Sequence, residues 1–246
     1  MKQTRLLMGM PITVEILDVA VTTEVIDDVF AYFAEIDETF STYKETSEIS
    51  RLNCGQIDLA ECSPTVREIL ALCEETRLQT DGYFNATRDG VIDPSGIVKG
   101  WAIQQAAERL KGAGWCDFHI DAGGDVQACG VRDGRPWRVG IRNPIRREEI
   151  VKVLSISDRG VATSGTAVRG QHIYDPFRPS TSLNEVVSLT VIGPNVYEAD
   201  RFATAAFAMG RQGITFIGRL DDFEGYLIDA EGNATYTAGF ERFVAQ

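Results

Sequence analysis

The sequence predicts an α+β fold, a single compact domain over residues 1–246 with largely antiparallel sheets and flanking helices. Three observations predict it. Apolar residues early in the chain recur at helical spacing, and short β-rich segments separated by glycine or proline follow in consecutive runs. Neither an internal repeat nor a Pro/Ser-rich linker divides the chain. Strands that follow one another without an intervening helix favour antiparallel pairing over a doubly wound parallel sheet.

The N-terminal part of the chain is predicted to hold one strand, one helix and a polar loop. Alternating apolar residues predict the strand over residues 12–16. Thr22 or Thr23 can cap the helix, whose apolar stripe is spaced by three and four residues. The polar stretch 40–53 has too little periodicity to be core.

Two further helices are predicted before the β-rich part of the chain. The Ser63-Pro64 pair supplies an N-cap and a first-turn proline for the second helix, which stops at residues 81–82. The third helix begins after residues 93–96 and ends at Gly112 or Gly114.

The second half of the chain is predicted to be mostly strands. These strands cover residues 118–121, 126–129, 137–141, 151–156 and 186–192. A fourth helix follows from about Tyr197 to Met209 and ends at Gly210, and a last short helix and a hairpin over residues 227–237 close the chain.

The charge balance restricts the partners of this protein. The 24 Lys and Arg against 36 Asp and Glu give a net charge of −12. Such a surface repels phosphate backbones and anionic lipid, so neither nucleic acid nor a membrane surface is an expected partner. A protein this acidic that handles phosphates needs a cation to assist it.

Cysteine usage and hydropathy bear on the compartment. The five cysteines are odd in number and have no C-x-x-C spacing, which argues against a disulfide framework and a zinc site. No apolar run approaches the ~18 residues of a membrane span, and Glu15 and Asp18 interrupt any signal-like segment. We expect a cytoplasmic protein, or a periplasmic one if a leader was removed.

Only two histidines are available for acid–base chemistry near neutral pH. His119 alternates with apolar neighbours in a predicted strand, which indicates a packed or edge-facing residue. His172 lies in a polar, glycine-broken segment. It is either a surface loop histidine or a general base that deprotonates a hydroxyl. Because no G-x-S-x-G motif occurs, a serine-hydrolase triad is not expected.

Two glycine-containing segments and one pair of oxygen side chains could serve a phosphate ligand. Residues 121–125 and 162–166 are interpreted as glycine turns after strands, either simple tight turns or turns whose N–H groups cradle a phosphate. Asp200 and Thr204 are four residues apart on the predicted fourth helix, hence on one face. They could hold a hard cation such as Mg²⁺, or be an exposed aspartate and a neutral threonine.

A series of motifs gives these features a common context. In chain order the motifs are residues 8–10, 40–43, 47–53, 93–102, 121–125, 163–165, 172–176 and 199–205. In this order they resemble the ApbE-type FAD:protein FMN transferases across essentially the whole chain. The resemblance implies that family's α+β domain and a Mg²⁺-dependent transfer of FMN from FAD to a serine or threonine hydroxyl of an acceptor protein, with release of AMP.

The resemblance also implies roles for individual residues. The residues near FAD would be Met8, Tyr43, Tyr83, Phe84, Asn85, Lys99, Gln105 and Ile173. The metal would be bound by the backbone carbonyl of Ala102, the carboxylate of Asp200 and the hydroxyl of Thr204. His172 would be the base.

The sequence departs from the family pattern at several positions. Met10 and Asn85 stand where the family usually has threonine and aspartate, and Arg178-Pro179 replaces a usual Thr-Gly. Ala203 stands where some members have a second acidic metal ligand. Two alternatives therefore stay open: a Mg²⁺-dependent FAD pyrophosphatase, in which water replaces the acceptor hydroxyl, and a non-catalytic FAD-binding or carrier protein.

Overall fold

The secondary structure of the computed structural model alternates between helical and β-rich stretches. The structure describes residues 1–146, 148–166, 173–178 and 185–246. The strands are β1 (Lys2–Leu7), β2 (Met10–Ile16), β3 (Thr87–Arg88), β4 (Val91–Ile92), β5 (Phe118–Ala122), β6 (Asp125–Cys129), β7 (Trp137–Arg142), β8 (Ile150–Ile156), β9 (Arg159–Gly165), β10 (Val186–Gly193), β11 (Glu224–Asp229) and β12 (Ala234–Tyr236). The helices are α1 (Thr23–Phe40), α2 (Glu48–Asn53), α3 (Pro64–Gln79), α4 (Ser95–Gly112), α5 (Val196–Ala208) and α6 (Gly213–Ile217).

One eight-stranded sheet organises the described residues, in the order β1-β2-β5-β6-β9-β10-β11-β12. Every neighbouring pair in it is antiparallel. The strands β7 and β8 form a separate antiparallel hairpin, and β3 pairs with β4. The predicted α+β fold with largely antiparallel sheets is confirmed.

The two faces of the large sheet are covered differently. Along β2, Ile12, Val14 and Ile16 are fully buried in the larger core with apolar residues of α1, α3 and α4. Residues at alternate positions, such as Glu15, point to the opposite face. There the β7–β8 hairpin contributes Trp137 and other apolar residues to a smaller core. We call the two sides the helix face and the hairpin face.

One end of the sheet gathers the turns that bound the candidate site. The β1–β2 turn has positive φ at Met8 (52°) and Gly9 (71°), and the β5–β6 turn has it at Gly123 (64°) and Gly124 (101°). Both are two-residue hairpin loops with positive φ at both positions, a conformation that matches strand twist. The N–H of Gly123 donates to the carbonyl of Pro11 at 3.1 Å, so the two turns lie side by side.

Most elements predicted from the sequence are present. The four longer helices are confirmed, with Thr22 and Ser63 as the N-cap residues of α1 and α3. The predicted strands and the C-terminal hairpin are confirmed as well. None of the helices in the described part of the chain combines the length and the hydropathy that crossing a bilayer requires.

Three features differ from the sequence prediction. The stretch 40–53 is not merely a loop, because it contains α2, whose Ile49 is fully buried. Six residues make fewer than two helical turns, too few for a periodic pattern. The segment 162–166 is not a glycine turn, since β9 continues to Gly165. The strands β1, β3 and β4 are also not predicted from the sequence.

Candidate functional site

The helices α4 and α5 pack closely because two glycines of α4 face α5. A Cβ atom at Gly100 would lie 2.6 Å from Cβ of Asp200 and 2.9 Å from the carbonyl oxygen of Val196. A Cβ at Gly96, one turn earlier, would lie 3.3 Å from Cγ2 of Thr204. Since Gly96 faces Thr204 and Gly100 faces Asp200, the two helices run antiparallel. Asp200 and Thr204 therefore share one face of α5, as predicted, and that face lies against the start of α4.

Asp200 is buried and is held by two groups of α4. Only 3% of the residue is exposed, which excludes the alternative of a surface aspartate. Its Oδ2 accepts a hydrogen bond of 2.9 Å from the N–H of Gly100. Its Oδ1 lies 3.4 Å from Nζ of Lys99.

A second buried carboxylate shares the same lysine. Nζ of Lys99 lies 2.5 Å from Oδ2 of Asp125, a residue that is 1% exposed at the start of β6. The other oxygen of Asp125 accepts a hydrogen bond of 2.9 Å from the N–H of Thr163 on β9. Among the described ion pairs, two buried carboxylates thus share one ammonium group. We call Asp125, Lys99 and Asp200 the carboxylate pair with its lysine.

The charge balance of this group leaves room for a cation. Burial first, and then the nearby Asp125, raise the pKa of Asp200 to about 7, although Lys99 and the hydrogen bond from Gly100 act in the opposite direction. A carboxylate in this state gains from any additional positive charge beside it. The arrangement therefore fits a bound cation.

The neighbouring side chains supply hard oxygen donors. Oγ1 of Thr204 lies 3.5 Å from Oγ of Ser164, a buried residue on β9. Across the described ranges, no group of three His, Cys, Asp or Glu side chains is placed to hold a metal. A cation here would rely on one carboxylate, on hydroxyl and main-chain oxygens, and on ligand phosphates, which is the donor set that Mg²⁺ accepts.

The register of α4 against α5 bears on which main-chain oxygen could serve this site. Ala102 is fully buried in α4 and lies two residues beyond Gly100. Along the helix axis it is therefore about 3 Å farther than Gly100 from the level of Thr204. Helix carbonyls point toward the C-terminus, so the carbonyl of Gly96 points from the level of Thr204 toward that of Asp200. The register of α4 against α5 thus favours Gly96 over Ala102.

The segment Tyr83–Asn85 lies beside the same turn of α4. Phe84 is buried, and its ring would be 3.0 Å from a Cβ at Gly96. The ring of Tyr83 meets that of Phe177 edge-on, with centroids 4.9 Å apart. Asn85 is exposed, and its side chain accepts a hydrogen bond from the N–H of Thr87 at 2.9 Å. Phe84 is thereby brought to the site, Tyr83 lies beside Phe177, and Asn85 shapes a turn.

The described residues 173–178 pack over this segment. Ile173 is half-buried against the core formed by α5, β9 and β10. The hydroxyl of Tyr174 donates to the carbonyl of Thr87 at 3.4 Å, and the guanidinium of Arg88 lies 4.5 Å from the centre of the Tyr174 ring. The predicted base His172 and the departure Pro179 lie outside the described residues.

The departures Arg178 and Met10 each have a local contact. Nε of Arg178 lies 3.3 Å from Oδ2 of the buried Asp175, and the arginine side chain is largely exposed. Met10 is buried beside the β5–β6 turn, where a Cβ at Gly123 would be 3.0 Å from its sulfur. Met10 therefore fills space against the glycine turn.

Two predicted flavin-binding residues are not drawn into this cluster. Tyr43 lies in the loop between α1 and α2 and is 96% exposed. Gln105 is half-buried on α4, six residues after Lys99, which is about 9 Å along the helix axis. Met8 is half-buried in the β1–β2 turn and packs against the core of the helix face.

Sequence reasoning missed Asp125 and Ser164 as individual residues. Both lie within motifs that were noticed for their glycines, at residues 121–125 and 162–166. A carboxylate directly after two glycines was the available signal for Asp125. Ser164 could be found only if β9 were recognised as a strand. Side chains alternate between the two faces of a strand, and this alternation directs the side chain of Ser164 toward α5.

Comparison with known proteins agrees with the architecture. The model of the ApbE family matches residues 8–92 and 87–227. The FAD:protein FMN transferase of Vibrio cholerae is 33% identical over 211 residues, covering 73% of this chain and 63% of that protein. The FAD:protein FMN transferase of Escherichia coli K12 is 29% identical over 193 residues, covering 71% of this chain and 55% of that protein.

Solved structures show the same fold. The flavin transferase ApbE from Vibrio cholerae superposes with a TM-score of 0.84 at 21% identity, covering 99% of this chain and 98% of that one. The ApbE protein of Thermotoga maritima gives a TM-score of 0.88 at 20% identity, covering 100% and 99% of the two chains. On the family match, which covers most of its length, the chain belongs to the ApbE family.

Proposed function

We propose that this protein transfers the FMN moiety of FAD to a serine or threonine hydroxyl of an acceptor protein and releases AMP, with the help of Mg²⁺. The observation that carries the proposal is the carboxylate pair with its lysine, which is buried beside Thr204 and, among the described ion pairs, sets two carboxylates against one ammonium group. The curated relatives that match the chain are named for this reaction. The chain covers 63% and 55% of those two relatives, so their activity comes to this chain as a proposal.

The reaction exchanges the phosphoanhydride bond of FAD for a phosphoester bond to the acceptor protein. The acceptor oxygen attacks the phosphorus on the FMN side of the pyrophosphate, the bond from that phosphorus to the bridging oxygen breaks, and AMP leaves with that oxygen. The hydroxyl proton must go to a base, because an alcohol is a weak nucleophile until its proton is removed. His172 is the proposed base, from its family motif and its polar, glycine-broken segment.

The cation would be held by Asp200, Thr204 and a main-chain carbonyl. The resemblance assigns that carbonyl to Ala102, whereas the register of α4 against α5 supports Gly96. When bound, Mg²⁺ would neutralise pyrophosphate charge as it builds on the departing AMP. Lys99 adds a positive charge on the same side of α4, and Tyr83, Phe84, Met8 and Ile173 would border the flavin nucleotide.

Incubation of the protein with FAD, Mg²⁺ and candidate acceptor proteins tests the proposal. A denaturing gel should show flavin fluorescence on the acceptor, and the band should be absent without Mg²⁺ or with Asp200→Asn. Release of AMP without labelling of any acceptor would favour the FAD pyrophosphatase. Saturable binding of FAD without turnover would favour the carrier protein.

A further inference from the structure

Lys99 occupies one side of the carboxylate that we assign to the cation. Its Nζ lies 3.4 Å from Oδ1 of Asp200 and 2.5 Å from Oδ2 of Asp125. An ammonium group and a divalent cation repel each other at this range, and both are attracted to the same carboxylate. The position of the lysine tip therefore affects how readily Asp200 accepts a cation.

Asp125 is placed to fix that position. Its side chain is 2% exposed, and its second oxygen is held by the N–H of Thr163 at 2.9 Å. It follows the β5–β6 turn directly and is the first residue of β6, so its backbone belongs to the sheet. The lysine side chain has four rotatable bonds, so its tip can shift while the carboxylate of Asp125 stays in place.

We propose that Asp125 is a positioning residue, which draws the ammonium group of Lys99 away from Asp200 and so keeps that carboxylate available to a divalent cation. The inference rests on the proposed function, since it takes Asp200 as a ligand of the cation. Without the cation, the ammonium group of Lys99 lies between both carboxylates. When the cation binds Asp200, the ammonium group moves onto Asp125 and stays at the edge of the site.

This role predicts opposite effects for the two residues of the ion pair. In Asp125→Asn, Asp200 is the one carboxylate of the pair that remains to attract the ammonium group of Lys99. The ammonium group should then lie closer to Asp200, so the cation should bind more weakly. In Lys99→Met the competing charge is gone, so the cation should bind more tightly. If Asp125 acts through Lys99, its substitution should have little effect once the lysine is absent.

Titration of the full chain with Mn²⁺ in the absence of FAD, followed by the electron paramagnetic resonance signal of the free ion, measures this directly. We expect Asp125→Asn to weaken binding by roughly tenfold or more, and Lys99→Met to strengthen it by about the same factor. The double variant should bind at least as tightly as the wild type.

Three results would overturn the inference. One is an unchanged affinity in Asp125→Asn, and another is the same fold-weakening by Asp125→Asn with and without Lys99, which would mean that Asp125 acts directly on the cation. A wild-type protein that binds no Mn²⁺ would overturn both the inference and the metal assignment of the proposed function. The first two results leave that assignment intact.

Matched variants control for charge and folding. Lys111→Met removes an exposed lysine from the same helix, where it pairs with Glu108, and Asp133→Asn removes an exposed aspartate. Both should leave the affinity for Mn²⁺ within about twofold of the wild type, because exposed charges are screened. Asparagine at position 125 retains an acceptor for the N–H of Thr163. Lys99→Gln replaces Lys99→Met if thermal unfolding shows that the latter does not fold.

Discussion

The sheet carries buried charges on both of its faces, and the two groups are balanced in opposite ways. On the helix face, two carboxylates, Asp125 and Asp200, share the single ammonium of Lys99 among the described ion pairs. On the hairpin face, one carboxylate, Glu15, has two cationic partners. We call the second group, formed by Glu15, Lys2, Arg132 and His119, the Glu15 cluster.

The charge of Glu15 is balanced by described residues of the protein itself. Glu15 is 5% exposed, and its oxygens lie 3.1 Å from Nζ of Lys2 and 3.0 Å from Nη1 of Arg132. His119 packs against Trp137 with ring centres 4.7 Å apart, and its Nδ1 is 3.7 Å from Glu15. A buried charge that the protein balances by itself is structural, whereas one left short of a partner indicates a ligand. The comparison thus separates a candidate site from a structural ion pair.

The two histidines provide the largest contrast. His172→Ala should lower the turnover of FAD by ~10²–10⁴ and leave the binding of FAD nearly unchanged, because a base acts in the transition state. His119→Ala should keep turnover within a few-fold of the wild type, although it loses packing against Trp137. Steady-state kinetics with FAD and an acceptor measure both. If His172→Ala turned over FAD nearly as fast as the wild type, the carrier protein would be the better account.

The next largest effect should come from substituting the buried carboxylates Asp200 and Glu15, one from each face. Asp200→Asn should reduce Mg²⁺-dependent release of AMP by at least ~10²-fold, since a catalytic metal is worth several kcal/mol. Glu15→Gln should leave that rate within a few-fold and cost about 1 kcal/mol of stability. Chromatography of AMP and urea unfolding measure the two quantities. Equal rates for Asp200→Asn and wild type at one Mg²⁺ concentration would refute the metal assignment.

The packing of α4 on α5 gives an effect on stability alone. Gly100→Ala should destabilise the protein by about 1–3 kcal/mol, because a Cβ would lie 2.6 Å from Cβ of Asp200 and force the helices apart. Gly112→Ala, at the end of the same helix with no atom within 4 Å of its Cβ position, should be neutral or stabilising by up to about 1 kcal/mol. Urea unfolding of the two variants measures the difference. Equal stabilities would show that the helices are not in close contact at Gly100.

The smallest expected effect is the pH dependence of stability, which should differ in sign between the two faces. Burial lowers the pKa of His119 to about 4, against attraction by Glu15. The unfolded chain therefore binds the proton first, and this group should make the protein about 1–2 kcal/mol less stable at pH 5 than at pH 7.5. Asp200 has a raised pKa in the folded protein, so without metal its contribution should fall as the pH rises from about 4 to about 7.

Comparing the wild type with a variant of each residue separates the contributions of His119 and Asp200 to the pH dependence of stability. The stability difference between wild type and His119→Phe should shrink as the pH falls, and the difference between wild type and Asp200→Asn should grow, both in EDTA. Urea unfolding at several pH values gives both curves. Parallel curves would mean that the two groups do not titrate as their surroundings require.

Periodicity in the sequence was sufficient to predict the long elements. The helices α1, α3, α4 and α5 have several turns of apolar spacing, and α3 and α5 also have side-chain N-caps; these signals are local. The short helix α2 and the strand β9 are not predicted, because α2 has only six residues and β9 has no regular apolar alternation between its two glycines. The side chain of Asn53 in α2 holds β4 in place through two hydrogen bonds of 2.8 Å. It donates one to the carbonyl of Ile92 and accepts the other from the N–H of Ile92.

The candidate site could be predicted only in part for a similar reason. Asp200 and Thr204 were found because a helix places residues four apart on one face. The contact of Asp125 with Lys99 joins β6 to α4, and no pattern within either segment shows it. The choice between Gly96 and Ala102 likewise depends on how α4 lies against α5, which is a property of the tertiary structure.

The most direct test of the central claim is the thermal unfolding midpoint as a function of Mg²⁺ concentration. A cation that binds only the folded protein raises the midpoint as its concentration increases. We expect this rise in the wild type and in Glu15→Gln, and its loss in Asp200→Asn. A rise of the same size in Asp200→Asn would contradict the claim that the carboxylate pair with its lysine forms a cation site.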